Sequence, residues 1–360
     1  MSLLDRLVGR PLASEEEATQ RVSVLSGVAV FGLDALGSAA YGPEAALTVL
    51  IPAGIAGLRY ILPLSAAIVA LLLLVYFSYR QTIEVFPNGG GAYTVASKSL
   101  GPEFGLVAGA ALMLDYLLNV SVGISTGVGA LISAVPSLQK ETLPLCLMIL
   151  AVLIIVNLRG TRTSGLLWSF PTLGFVVCLL AVITLGLIRT LLSGGQPKAL
   201  IAENVASKHV AVGAWLLLRS FASGCTALTG VEAVSNGVQT FQEPKIETAR
   251  HTLAVIVTIL AVMLLGVGAL VRAYGIVATE PGQSGYKSIL SMLTEAVMGC
   301  GWFYYVTISF ILIMLSLSAN TSFAGFPQLC RTMADDGYLP RVFRLRGRRL
   351  VYPVGIVMLG

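Results

Sequence analysis

"GLDALGSAAYGPE", residues 32–44, lies inside the first long apolar stretch of a 360-residue chain and carries two carboxylates, Asp34 and Glu44. Three glycines, Gly32, Gly37 and Gly42, and one proline, Pro43, share the same stretch. A segment that only crosses a bilayer has no use for acids, because each ionisable group at mid-membrane costs about 2.5 kcal/mol or more to insert. Nor does it need helix breakers, since irregular backbone at that depth is tolerated only where it lines a cavity or is buried in protein. The stretch reads as half of a site inside a membrane protein.

Composition sets the class. Hydrophobic residues make up 56% of the chain and charged ones 11%, against roughly 25% charged in soluble domains. Several apolar runs reach the roughly 20 residues that cross a hydrocarbon core, and the short alternating strands of a barrel are not seen. The expected fold is all-α, a multi-pass transmembrane helical protein with spans near 22–50, 61–86, 104–134, 143–158, 166–192, 211–240, 252–276 and 301–328. "VYPVGIVMLG" (351–360) is about half of a span, so the chain reads as truncated at the start of the ninth.

Residues 1–21 are polar and lack the order of a signal peptide, and read as a cytoplasmic leader. With the N-terminus inside, 15 of the 23 Lys and Arg fall on cytoplasmic segments, as the positive-inside rule requires. That placement explains the net charge of +5 without a nucleic-acid partner, and "RLRGRRL" (344–350) reads as an inner-leaflet juxtamembrane run. The five cysteines lack metal-ligand spacing, and His209 and His251 are too far apart for a zinc site. Ser38 and Ser322 have no histidine partner to activate them. No enzyme activity and no cofactor are expected.

A second stretch, "FASGCTALTGVEAVSN" (221–236), also places glycines and hydroxyls in mid-span before a glutamate. Setting "GPEAA" from Gly42 against "GVEAV" from Gly230 aligns Glu44 with Glu232 and Tyr41 with Thr229. Five spans separate the two starts, so the second copy runs inverted in the membrane. Inverted repeats with a discontinuous helix at matching positions point to a transporter binding site. The expected organisation is a first repeat over 22–192 and an incomplete second one over 211–360, with helices 1 and 6 broken. Glu44, just past the first break, reads as a cap on its second half-helix.

The intramembrane acids are Asp34, Asp115 and Glu232, with Glu44 and Glu84 nearer the ends, and only Arg219 lies at comparable depth to pair with them. Unpartnered acids make a negative potential that attracts a cation. Asp34 and Tyr41, seven apart, share a helix face, as do Asp115 and Asn119, with Tyr116 beside them. Carboxylate, phenol, amide and hydroxyl oxygens are what a dehydrated alkali cation accepts. Glu232, in apolar surroundings, is the candidate for proton coupling, since burial disfavours a carboxylate's charged form. In "LSANTSFAGFP" (317–327), Asn320, Thr321 and Ser322 weigh evenly between a second ion site and helix–helix hydrogen bonding. "PNGGGAY" (87–93) lacks the Gly-Lys-Ser/Thr ending of a phosphate loop and reads as a turn or gating loop.

"PNGGGAY" and the "GVEA" of the sixth span resemble the APC superfamily of secondary transporters. More narrowly, "DALGSAAYGPE", "LDYLLNVSVGIS", "FASGCTALTGVEAVSN" and "SANTSFAGFPQL" look like the KimA-type proton-coupled potassium importers related to the KUP family. The resemblance implies a LeuT-like fold of two inverted five-helix repeats. It assigns ion binding and gating to Asp34 and Tyr41 in the first span, Asp115 and Tyr116 in the third, and Thr229 with Glu232 in the sixth. Asn119 and Gly123 stand where that family carries hydroxyls. Potassium held at Asp34, Asp115 and Thr229 and a proton at Glu232 are the implied cargo, in a bacterial inner membrane, and the fold suggests a homodimer. The alternative is an amino-acid permease of the same fold, and a non-transporting scaffold or sensor is the reading of a different class.

Overall fold

The computed structural model describes residues 22–87, 89, 91–158, 165–195, 197, 212–283, 285–345 and 352–360. The leader at 1–21, His209 and most of the basic run at 344–350 lie outside the described residues.

Helices account for the architecture. They are α1 (Val24–Leu50), α2 (Ile55–Val85), the short α3 (Ala92–Ser99), α4 (Pro102–Ala134), α5 (Thr142–Leu158) and α6 (Gly165–Leu192). There follow α7 (Ala214–Gly224), a 3-10 turn (Cys225–Leu228), α8 (Ala233–Asn236), α9 (Lys245–Ala273), α10 (Ile289–Met298), α11 (Trp302–Asp335) and α12 (Pro353–Leu359). Among the described residues, seven helices are long and apolar enough to cross a membrane. The interrupted α7–α8 segment falls at the expected sixth span, and α12 at the expected ninth. Among the described residues, the extended pairing is an isolated bridge between Val22 and Phe241. It ties the entrance of α1 to the chain leaving the interrupted segment.

Burial sorts the helices into centre and rim. The most apolar window of α1 is 72% buried within the protein, whereas that of the segment containing α5 is 6% buried. An apolar helix enclosed on all sides is a core helix. Accordingly α1 touches α2, α4, α6, α7, α9 and α11, so its polar side chains face protein rather than lipid.

The expected break in the first span is absent. α1 runs as one helix through Pro43, which removes a single backbone N–H from the ladder. The small residues around it serve close approach instead: a Cβ on Gly42 would lie 2.5 Å from the Cβ of Ala227. The break in the sixth span is present. Gly224 and Cys225 end α7, Thr229 is extended (φ −64°, ψ 152°) and Gly230 turns left-handed at φ +78°. Backbone carbonyls near the crossing find hydroxyls: Ser38 donates to Ala227 O at 2.6 Å and Ser220 to Ala46 O at 2.8 Å. Glu44 does not cap its own span either. Its carboxylate reaches the start of α10.

Candidate cation site

Asp34 sits in the middle of α1 and is 4% exposed. Its Oδ1 accepts from the Ser318 hydroxyl at 2.8 Å, and its Oδ2 from Asn119 Nδ2 at 2.9 Å and from the Thr321 hydroxyl at 3.4 Å. Every donor is neutral. No Lys, Arg or His pairs with Asp34, Asp115 or Glu232 among the described residues; Arg219, the one cation at comparable depth, points outward and is exposed. A buried carboxylate without a counter-ion is costly unless an ion or a proton joins it.

Asn119 joins three helices. Its amide donates to Asp34 and, at 3.0 Å, to Ser322, while its Oδ1 accepts from the Tyr41 hydroxyl at 3.3 Å. Tyr41 also shares a 2.8 Å hydrogen bond with the Thr229 hydroxyl, whose own hydrogen bond to Thr226 O spans 3.2 Å. A chain of oxygens thus runs from Asp34 to the broken sixth span. Each hydroxyl can rotate and present a lone pair to a cation instead of a hydrogen to a neighbour. Ser318 and Ser322 are fully buried on α11; Ser322 was among the residues weighed for an ion site, and Ser318 was missed from sequence. The signal available was their four-residue spacing, which puts both on one helix face.

The other expected residues distribute differently. Asp115 lies one turn before Asn119, half-buried, with no hydrogen-bond partner among the described residues. It makes no hydrogen bond to Asp34, and among the described residues no three His, Cys, Asp or Glu side chains could hold one metal ion. An ion beside Asp34 would therefore complete its shell with hydroxyl, amide and backbone oxygens. Glu232, 8% exposed, follows the left-handed Gly230 and lies within electrostatic range of both Asp34 and Asp115. The Asn320–Thr321 pair is split. Thr321 faces Asp34, while Asn320 Oδ1 accepts from Asn157 Nδ2 of α5 at 2.6 Å, the helix–helix bond weighed for it.

The two ends of the site differ. At one end the Tyr286 hydroxyl donates to Glu44 Oε1 at 2.5 Å, and the Ile289 N–H at the start of α10 donates to Oε2 at 3.2 Å. Ser288 N donates to Ser133 Oγ of α4 at 2.9 Å, and a Cβ on Gly129 would lie 3.0 Å from the Tyr286 oxygen. The α10 segment is thus fastened across the ends of α1 and α4. At the other end a cavity of about 200 Å³ runs between Gly91, Tyr93, Asn236, Gln328 and Thr332 up to Tyr116. Tyr116 closes its inner end by packing on Gly325, where a Cβ would lie 2.7 Å from the ring. On its rim Tyr93, outside the spans, donates to Asp336 at 2.6 Å. Burial and that carboxylate push the Tyr93 hydroxyl up to about 12, so it keeps its proton for the bond.

The chain matches known proteins along most of its length. The family described as amino acid permease matches residues 24–360. The potassium transporter KimA of Bacillus subtilis (strain 168) is 38% identical over 354 residues, which cover 98% of this chain and 57% of that protein. The low-affinity putrescine importer PlaP of Escherichia coli (strain K12) is 24% identical over 283 residues, 76% of this chain and 58% of the relative. The chain therefore spans under two thirds of the length of either relative.

Proposed function

The chain belongs to the amino acid permease family, and from that premise we propose that it is the transmembrane part of a secondary transporter importing a monovalent cation, potassium by proton symport. The observation that carries the reading is Asp34, a buried carboxylate surrounded by neutral rotatable donors and without a fixed counter-ion among the described residues. Two similar proteins support it in kind, since the cargo in each of their names is a cation. The ion would sit between α1, α4 and the broken sixth span, with Asp34, Tyr41, Asn119 and Thr229 as ligands and Asp115 and Tyr116 guarding the approach. The two halves, 22–192 and 211–360, would be the repeats whose relative motion exposes it alternately.

Orientation follows from charge. Arg80, Arg250, Arg331, Arg341 and Arg344 share the end of the protein that holds the open cavity, while Arg59, Lys140, Arg272 and Lys287 share the end closed by α10. Cations favour the cytoplasmic side. This arrangement is an inward-facing state in a bacterial cytoplasmic membrane, closed outside by the Glu44–Tyr286 fastening.

The amino-acid reading keeps the family's name behind it but meets two obstacles. A zwitterion's carboxylate is held by bare amides at helix breaks, and the continuous α1 offers none. Asp34 would also repel it, by about 4 kcal/mol at 4 Å and an effective dielectric of 20. The deciding experiment is rescue of a potassium-uptake-deficient bacterium by the full-length gene at low external potassium. Growth is expected. Uptake of a labelled amino acid without growth would instead identify an amino-acid permease.

Two further outcomes test the parts. Glu232→Gln replaces an ionisable group by a neutral isostere, so potassium uptake into proteoliposomes should lose its dependence on external pH. Uptake that stays equally pH-dependent removes Glu232 as the coupling group. Tyr286→Phe deletes the hydroxyl that fastens Glu44 and leaves a half-buried carboxylate with one hydrogen bond fewer, a change of about 1 kcal/mol. A cysteine at Gly37 should then become about tenfold more reactive to an impermeant thiol reagent added outside. No change in labelling would show that closure of the outer end does not depend on this bond.

A further inference from the structure

A second cavity lies apart from Asp34, on the seam between α2 and α9. It measures about 440 Å³ and is lined by Tyr76 and Arg80 of α2 and by Glu247, Arg250, His251 and Ala254 of α9. These residues occupy the last turns of α2 and the first turns of α9, which is the cytoplasmic end in the orientation above. Arg250 is already paired with Glu84. Arg80 and Glu247, both exposed, have no ion-pair partner among the described residues. One wall therefore offers an unused guanidinium and the other an unused carboxylate.

The surface beside the cavity is apolar and faces outward. Toward mid-membrane on α2, Phe77 is 54% and Leu74 67% exposed, and on α9 Val255 is 40% exposed. From Arg80 to Leu74 is about 9 Å along the helix, so the charges lie at headgroup level when these side chains lie at acyl-chain level. A soluble anion has no use for that flank. A guanidinium matches a phosphate through paired N–H donors, and basic pockets between spans on the cytoplasmic side hold lipid headgroups. The carboxylate adds a further requirement, a cationic hydrogen-bond donor a few ångströms from the phosphate.

We propose that this cavity holds the headgroup of a zwitterionic phospholipid bearing a primary amine, phosphoethanolamine in chemistry. Arg80 and His251 take the phosphate, Glu247 takes the ammonium, and the acyl chains run along Leu74, Phe77 and Val255. Glu247 sets the specificity. A quaternary ammonium has no hydrogen to give it, and an uncharged glycerol headgroup leaves it unpaired.

Native mass spectrometry of the full-length protein, delipidated and then given equal amounts of phosphatidylethanolamine, phosphatidylcholine and phosphatidylglycerol, tests this. Phosphatidylethanolamine should be retained about tenfold better than either competitor, the value of one charge-assisted hydrogen bond. Arg80→Gln should remove the retention, and Glu247→Gln should transfer the preference to phosphatidylglycerol. Arg272→Gln, at the opposite end, should change nothing. Equal retention of the three lipids overturns the proposal, as does retention unaffected by Arg80→Gln. Full displacement of the lipid by millimolar inorganic phosphate would show a free-anion site and overturn it as well. Failure of any arm leaves the potassium reading untouched, because none of them measures transport.

Discussion

Asp34→Asn is expected to abolish cation uptake, by at least about 100-fold, in protein that still folds and inserts. The substitution keeps shape and volume and removes only charge. An ion about 4 Å from a full negative charge gains about 4 kcal/mol at an effective dielectric of about 20, roughly a thousandfold in affinity. Asparagine's carbonyl dipole returns part of that, which leaves a loss of the size stated. Folding should survive because Ser318 can still donate to the new amide's oxygen, while Asn119 and Thr321 can turn acceptor atoms toward its nitrogen. The measurement is potassium or rubidium uptake into proteoliposomes at matched protein, with size-exclusion profiles to check the fold. Uptake within twofold of the unsubstituted protein would remove Asp34 from the site and with it the central claim.

The legible and illegible parts of this molecule divide along the range of the interactions involved. Span positions could be read because lipid imposes a one-dimensional demand for about 20 apolar residues: the span expected at 104–134 is Pro102–Ala134. The Asp34–Tyr41 face, seven residues apart, could be read for the same reason, since helix periodicity is local. Ser318 could not, because its bond to Asp34 joins residues 284 positions apart and depends on how α11 crosses α1. The continuity of α1 was hidden by an ambiguity in chemistry. Glycine and proline mark both a broken helix and a close helix crossing, and only the distance from Gly42 to Ala227 tells them apart. Glu44 misled for a related reason: its partners, Tyr286 in the connection before α10 and Ile289 at the first position of α10, lie more than 240 residues along the chain. Asp115 shares a face with Asn119 but, one turn away, makes none of the hydrogen bonds that tie Asn119 to Asp34.

Gly230→Ala is expected to reduce transport by at least about 100-fold and to lower the yield of folded protein. Two separate physical terms act there. The left-handed backbone, φ +78°, costs a residue with a Cβ about 1–2 kcal/mol. The added Cβ would also lie 2.5 Å from the Asp34 Cβ and 2.7 Å from the Ala35 backbone nitrogen. The second term is the larger, because the obstacle is a continuous helix in the centre of the fold, and no rotamer change relieves it. α1 and the sixth span must move apart, which stretches the Ser38–Ala227 and Tyr41–Thr229 bonds and opens the oxygen chain beside Asp34. Gly299→Ala separates the terms. Gly299 has φ +74° and nothing within 4 Å of an added Cβ, so it bears the backbone strain alone. It should lose a few degrees in Tm and keep its uptake. If the two variants lose uptake equally, strain rather than contact governs position 230, and the break in the sixth span does not hold Asp34 in place.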